Sequence, residues 1–484
     1  MKPFVIEKNQ QFIARDYELN RLKQVAEQGQ SIILVAHGRR RIGKTELLEQ
    51  AFRQRHIIKF EGIEGQPQAK QMQHVLMQLA KYVEDPMIAK IQVEQWVEVF
   101  ELIARYLKQG EWTLYFEEVQ WLANYSDEFI SEFKYVWDNE LRRNPKLIVI
   151  FCGSSPSFML SKVLKSKALY NRSTVELPLK EFSLIEAKTF LGKKSNKEVL
   201  DAYLTVGGVA EYLKQLKKGA SVFLSLCENS FTAGSFFSHE YERIFVSQLA
   251  SNRHYKKIVE FLSKRRFATR SEILTFLKLD SGGTLSDLLF DLEQCGFIER
   301  YTPFDKPDSS LLARYCILDA YIQFYIKFIK PIEKNIDAGI YNKTPTGALK
   351  IDTYRQWLGY SFERLCRKNH VVIAKILGFQ AVSYKVGTYY NRASEKALPG
   401  FQIDLIFDRA DQVYTVCEIK LSQAKIGMSV VSEFEKKLSL FPNPKSKTIQ
   451  KVLISAEGAE KPLIHAGYFD NIITINDLFN PRYW

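Results

Sequence analysis

The apolar positions of this chain follow two alternating spacings. Ser31-Ile-Ile-Leu-Val-Ala36, His56-Ile-Ile-Lys-Phe-Glu61, Trp112-Thr-Leu-Tyr-Phe116 and Leu147-Ile-Val-Ile-Phe-Cys152 are short, nearly continuous apolar runs. That is the pattern of strands buried on both faces. Between them the apolar residues fall three or four apart, as one helix face requires. Examples are Val93, Trp96, Phe100, Ile103 and Leu107, in a stretch broken near Pro86, and then Phe129, Phe133 and Trp137. Phe12–Leu22 reads as a short entry segment and an amphipathic helix. The succession predicts an α/β unit over residues 1–200, with a parallel sheet covered by helices on both faces.

Beyond residue 200 the pattern changes. Gly207-Gly208 opens an aromatic-rich helical stretch, 201–250, that suits a lid. Three helices are predicted at His254–Leu262, Ser271–Leu277 and Thr284–Cys295. Strands at Phe297–Tyr301 and Tyr315–Leu318 follow, joined by a polar loop. This is a winged-helix pattern over 251–330. Residues 331–352, with Pro331, Gly339, Pro345 and Gly347, read as a linker, and 353–484 as a last domain.

Residues 38–45 read Gly38-Arg39-Arg40-Arg41-Ile42-Gly43-Lys44-Thr45, directly after the first apolar run and before the helical Glu46-Leu-Leu-Glu-Gln-Ala-Phe52. A strand–loop–helix of this form turns backbone N–H groups onto phosphate oxygens at a helix N-terminus. Lys44 then reaches the β- and γ-phosphates and Thr45 ligates Mg²⁺. The expected ligand is ATP, held by Gly38 to Glu46. Glu117-Glu118 end the third strand. Phosphoryl transfer needs one carboxylate near Mg²⁺ and another group that orients water, so Glu117 is the expected metal carboxylate and Glu118 the catalytic one. Ser154, after the fourth strand, could contact the γ-phosphate or the water. Arg172 reads either as a phosphate sensor or as a surface arginine.

Two further strands, Gln402–Phe407 and Val413–Lys420, flank a turn at 408–412. Alternation puts Glu418 and Lys420 on one face, and a hairpin can bring Asp404 beside Glu418. Two converging carboxylates suit Mg²⁺ or Mn²⁺, and Lys420 could orient or activate a water for phosphodiester cleavage. The alternative is an ordinary ion pair on a sheet.

Arg15-x-x-Glu18-Leu19, the phosphate loop, Glu117-Glu118-Val-Gln-Trp-Leu122, Gly153-Ser-Ser155 and Gly207-Gly208-Val-Ala-Glu-Tyr-Leu213 together resemble the prokaryotic AAA+/STAND-related ATPases, over nearly the whole chain. The resemblance implies Walker A roles for Gly38, Gly43, Lys44 and Thr45, Walker B roles for Glu117 and Glu118, and a sensor role for Ser154. The family usually has Asp where this chain has Glu117. Ile403-Asp404 and Glu418-Ile-Lys420 resemble the PD-(D/E)XK nuclease core, and Glu363 in Gly359-Tyr-Ser-Phe-Glu-Arg-Leu-Cys366 matches the acid of that fold's first helix. The fold class expected is therefore α/β: a P-loop NTPase sheet with a helical lid, a winged helix and a C-terminal restriction-endonuclease-like α/β domain.

Charge sharpens the choice of partner. The chain carries a formal +13, and its pI is near 9.2, which favours polyanions, DNA first and an anionic membrane surface after it. In the winged-helix region Arg253, Lys256, Lys257, Lys264, Arg265, Arg266, Arg270 and Lys278 face only Glu260, Glu272 and Asp280. Its third helix, Leu285 to Gln294, is acidic and apolar, which opposes base reading, so the module is expected either to contact DNA phosphates or to serve as a structural bridge or protein-contact module. Six cysteines without CxxC pairs, no spanning apolar run and no signal h-region suit a cytoplasmic protein with reduced thiols. The function expected is an ATPase coupled to Mg²⁺-dependent DNA cleavage. Its alternative is a nucleotide-gated DNA-binding switch with an inactive C-terminal domain. A homo-oligomer is left open.

Overall fold

The computed structural model describes residues 3–169, 172, 174–248, 253–265, 267–279, 283–302, 304, 313–391 and 400–484. Arg266, Asp280, the side chain of Arg253 and most of the loop expected to join the winged-helix strands lie outside them.

The N-terminal sheet is parallel. It comprises β1 (Ile32–His37), β2 (His56–Glu61), β3 (Trp112–Glu117), β4 (Ile148–Gly153) and β5 (Thr174–Pro178), in the order β2-β3-β4-β1-β5. Period-two alternation sorts its side chains. Ile33, Val35, Phe116 and Phe151 face one way, and Leu34, Ala36, Tyr115 and Ile150 the other. Helices α1 (Asp16–Ala26) and α2 (Lys44–Phe52) cover the second face; α3 (Gln68–Val83), α4 (Trp96–Ala104), the single turn α5 (Val119–Leu122) and α6 (Glu128–Asn139) cover the first. There Phe100, Phe116, Phe129, Phe133 and Phe151 meet mostly edge to face, Phe133 and Phe151 at 4.8 Å between ring centres. Such a pair adds about 0.5–1.5 kcal/mol beyond area burial, so β3 and its terminal acids sit on a stiff base. The strand β5 had no counterpart in the pattern of apolar runs. Thr174-Val-Glu-Leu-Pro178 is an edge strand, and only Leu177 of it is buried.

The helical stretch begins before residue 200. A short turn α7 (Pro156–Phe158) follows β4, and α8 (Leu184–Leu191), α9 (Asn196–Val206), α10 (Ala210–Lys217), α11 (Val222–Phe231) and α12 (Phe236–Gln248) follow β5. Three helices, α13 (Arg253–Ser263), α14 (Arg270–Leu277) and α15 (Gly283–Gln294), then accompany an antiparallel sheet of β6 (Ala268–Thr269), β7 (Ile298–Tyr301) and β8 (Arg314–Ile317). On α15, Leu285, Leu288, Leu289 and Leu292 are buried, while Ser286, Asp287 and Phe290 are exposed.

The expected linker is built rather than loose. Helix α16 (Ala320–Phe324) precedes it and α17 (Glu333–Asp337) lies within it, and Ile336 and Leu349 are buried in the same core as the helical stretch. The C-terminal sheet is mixed. Its strands β9 (Tyr384–Asn391), β10 (Phe401–Arg409), β11 (Val413–Lys420), β12 (Thr448–Ser455) and β13 (Asn471–Ile473) run in the order β13-β12-β11-β10-β9. Helices α18 (Ile351–Lys368) and α19 (His370–Ile376) lie on one face, with Leu405, Phe407, Cys417 and Ile419. Helix α20 (Ser429–Leu440) lies on the other, with Ile406, Val416 and Leu453. One continuous apolar cluster joins the helical stretch, the three-helix unit and the α18 face of the C-terminal sheet. The six cysteines are free thiols, and all but the half-buried Cys316 are buried.

Candidate functional site

Between the end of β1 and the start of α2 the chain must reverse within a few residues. Gly38 (φ +155°) passes so close to the Leu179 carbonyl that a Cβ would collide with it, and Gly43 (φ +88°) is the N-cap of α2. Glycine takes both conformations without strain. Arg15 ties the loop from behind: its buried guanidinium donates to the carbonyl oxygens of Ile42 at 3.1 Å and Lys180 at 2.8 Å. Inside the loop, Lys44 Nζ donates to the carbonyls of Gly38 (3.0 Å) and Arg39 (2.9 Å).

The acidic pair divides its work. Thr45 Oγ1 donates to Glu117, and Glu117 is ion-paired with Lys59, which also holds Glu49 at 2.9 Å. Burial alone would lower the Lys59 pKa, but Glu117 holds it above its ordinary value. The longer side chain at position 117 thus reaches the loop threonine directly. Glu118, at φ +53°, turns the other way. It accepts from Gln120 Nε2 at 2.6 Å and from Ser154 N and Oγ at 3.1 and 2.7 Å. Thr45 and Glu117 are hard oxygen donors in contact at the foot of the loop, a set that fits Mg²⁺, and a metal there would neutralise developing phosphate charge.

The remaining expected nucleotide residues have other partners. Arg39 forms a buried ion pair with Asp319, between β8 and α16, and Arg41 pairs with Glu240 of α12 at 3.0 Å. Arg40 lies 5.7 Å from the Trp121 ring, and Glu46 accepts from Asn9 Nδ2 at 2.8 Å. The loop arginines therefore meet protein carboxylates and an aromatic ring. Arg172 was expected as a phosphate sensor. It precedes β5, whose Thr174 is level with Ile33 near the start of β1, and it pairs with Asp138 at 2.6 Å. This is the sheet edge opposite the loop. Sequence reasoning missed Lys59, Asp319 and Glu240. Lys59 alone had a signal, a lysine inside an apolar strand.

Residues 12–216 match the family described as an ATPase domain predominantly from Archaea. These residues are thus similar to that archaeal type of ATPase domain. An uncharacterised protein of Methanocaldococcus jannaschii is 28% identical over 385 residues, spanning 79% of this chain and 83% of that relative. Among solved structures, the Walker-type ATPase PABY2304 of Pyrococcus abyssi aligns over 67% of this chain and 98% of its own, at 15% identity and a TM-score of 0.46. The Aeropyrum pernix ORC2 protein aligns over 71% and 97%, at 13% identity and 0.45.

Beside the loop, the ATPase domain borders a cavity of roughly 720 Å³. Its floor is His37–Arg39 and Pro178–Phe182, at the carboxyl ends of β1 and β5. Its walls come from α9, from the end of α15 (Gln294–Gly296) and from Ser361, Arg364, Leu365 and Lys368 of α18. Lys368 pairs there with Glu181. Burial works against ionisation of Glu181, but Lys368 and Arg39 hold its pKa below the ordinary carboxylate value.

Far along the chain from the ATPase domain, β10 and β11 pair Leu405 with Cys417. Asp404 precedes that pair, at a bulge of β10 between Ile403 and Ile406; its Oδ2 accepts from Ile419 N at 3.3 Å while Oδ1 accepts from Gln402 at 3.0 Å. Glu418 is fully buried. Lys437 of α20 holds both its oxygens, at 2.8 and 2.6 Å, and Lys420 lies 3.1 Å away. Burial would lower the Lys420 pKa, yet Glu418 raises it, so Lys420 stays an ammonium. Glu363 sits on α18, 3.9 Å from Arg367, and Cys366 of the same helix feels the charge of both Glu363 and Asp404. Among the described residues no group of three His, Cys, Asp or Glu side chains could hold a metal ion. The carboxylates as arranged, closed by Lys437 and by hydrogen bonds, do not fit the expected Mg²⁺ or Mn²⁺. No helix among the described residues is long and apolar enough to cross a membrane.

Proposed function

We propose that this chain is an ATP-operated switch in which the state of the phosphate loop controls the segments that follow the ATPase domain, and that its basic C-terminal half binds DNA. The observation that carries this reading is the pair of loop arginines held by distant carboxylates, Arg39 by Asp319 and Arg41 by Glu240. A triphosphate entering the loop must displace Lys44 from two carbonyls that include Arg39's own, so loop and partner segments respond together. In this reading Glu118, with Ser154 and Gln120, orients the attacking water, Thr45 and Glu117 hold Mg²⁺, and the excess positive charge supplies phosphate contacts. The exposed face of α15, with Asp287 and Phe290, suits backbone binding elsewhere better than base reading by that helix.

A second reading, cleavage of DNA by the C-terminal unit, is favoured by one observation, Lys420 at 3.1 Å from Glu418 with Asp404 accepting from the intervening Ile419 N, and it requires Lys437 to give way to a metal. One experiment separates the two. Plasmid is incubated with purified protein, ATP and Mn²⁺, beside Glu418→Ala, while DNA retention and ATP turnover are followed against salt. The switch reading expects intact plasmid, salt-sensitive retention and DNA-dependent turnover. Cutting by the wild type but not by the variant would replace it with the nuclease, and salt-independent retention would remove DNA as the partner.

A further inference from the structure

The cavity beside the phosphate loop is walled on one side by a helix that belongs to the C-terminal sheet. A triphosphate on the loop leaves its nucleoside at the sheet's carboxyl edge, where ligands of open α/β sheets lodge. The cavity lies at that edge, starts at Gly38, and offers apolar side chains (Leu179, Phe182, Leu204) together with a few polar groups, as small-molecule sites do. Most charges lining it are already matched within the protein. Arg15 holds carbonyls and Glu18, Arg39 holds Asp319, and Lys368 holds Glu181. Arg364 differs. Its hydrogen bond is to Ser361 of its own helix, at 2.7 Å, and it makes no ion pair among the described residues. Burial first, and then the neighbouring Arg367, push its pKa down to about 10, although Glu363 and Glu299 pull the other way.

We propose that α18 completes the nucleotide site, with Arg364 donating hydrogen bonds to acceptor atoms on the base or ribose of the ATP held by the phosphate loop. This rests on the cavity's receiving the nucleoside end. The helix that feels the nucleotide also packs on β10 and β11, which carry Asp404 and Glu418, so occupancy is reported straight to the C-terminal sheet.

The test is titration calorimetry on the full chain with two probes, Mg-ATP and Mg-tripolyphosphate. Tripolyphosphate occupies the loop but has no nucleoside. Arg364→Gln should raise the Kd for ATP about tenfold and leave that for tripolyphosphate unchanged, the latter also showing that the variant is folded. Arg364→Lys should recover part of the loss. Equal ATP affinity in wild type and Arg364→Gln overturns the proposal while leaving the loop assignment intact, and so does an equal loss for both probes. If wild type and Lys44→Ala bind both probes alike, the loop assignment itself fails.

Discussion

The Arg39–Asp319 pair is where the nucleotide loop is fastened to the rest of the chain, and its removal has a calculable effect. Arg39 and Asp319 are 9% and 5% exposed, and the carboxylate also accepts from Ile322 N at 2.7 Å, capping α16. Burial alone would depress the arginine's pKa, but Asp319 holds it above the ordinary value, so the guanidinium stays charged. Asp319→Ala leaves a buried guanidinium unpaired, about 3–5 kcal/mol, and removes a helix cap, about 1 kcal/mol. Asp319→Asn keeps the cap acceptor and should lose only the first part. Replacing both residues, Arg39→Met with Asp319→Leu, should return to within about 2 kcal/mol of wild type, because the stranded charge is gone. Urea unfolding followed by far-UV circular dichroism and by tryptophan fluorescence would order the four proteins as wild type, double variant, Asp319→Asn, Asp319→Ala. The reasoning is refuted if both single variants unfold within 1 kcal/mol of wild type, or if the double variant is the weakest of the four.

Lys44→Ala should abolish measurable ATP binding, whereas Glu118→Gln should keep binding and slow turnover by about two orders of magnitude; calorimetry beside a phosphate-release assay separates the two. Lys437→Met strands the buried Glu418 with Lys420 as its remaining cation, and should cost about 3 kcal/mol in urea unfolding; a loss under 0.5 kcal/mol would mean the carboxylate is solvated. Burial raises Asp201 to about 6. A carboxyl raised in the folded state keeps its proton where the unfolded chain has lost it, so stability should fall as pH rises from about 4 to 6. Asp201→Asn should flatten that slope, which urea midpoints at four pH values would read directly.

The chain's own pattern determined a good part of this protein. Strands β1, β3 and β4 announced themselves as nearly unbroken apolar runs, because a parallel strand is buried on both faces, and the edge strand β2 still showed its three buried residues Ile57, Ile58 and Phe60. Gly38 to Thr45 named the phosphate loop, because its geometry is local: a turn and a helix start need particular residues at fixed spacing. The hairpin that carries Asp404 and Glu418 was legible for the same reason, since a short turn pins its own strands. What the tertiary structure decided lies in contacts between residues far apart in sequence. No spacing rule links Arg39 to Asp319 or Arg41 to Glu240, so these two arginines read as phosphate ligands until the fold supplied their carboxylates. Arg172 had the right chemistry but fell at the wrong sheet edge. β5 was hidden because an edge strand carries too few buried positions to show a pattern. Charge identity is written in the sequence, but which charge neutralises which is set by packing, and that is what makes the loop a coupled element of the whole chain.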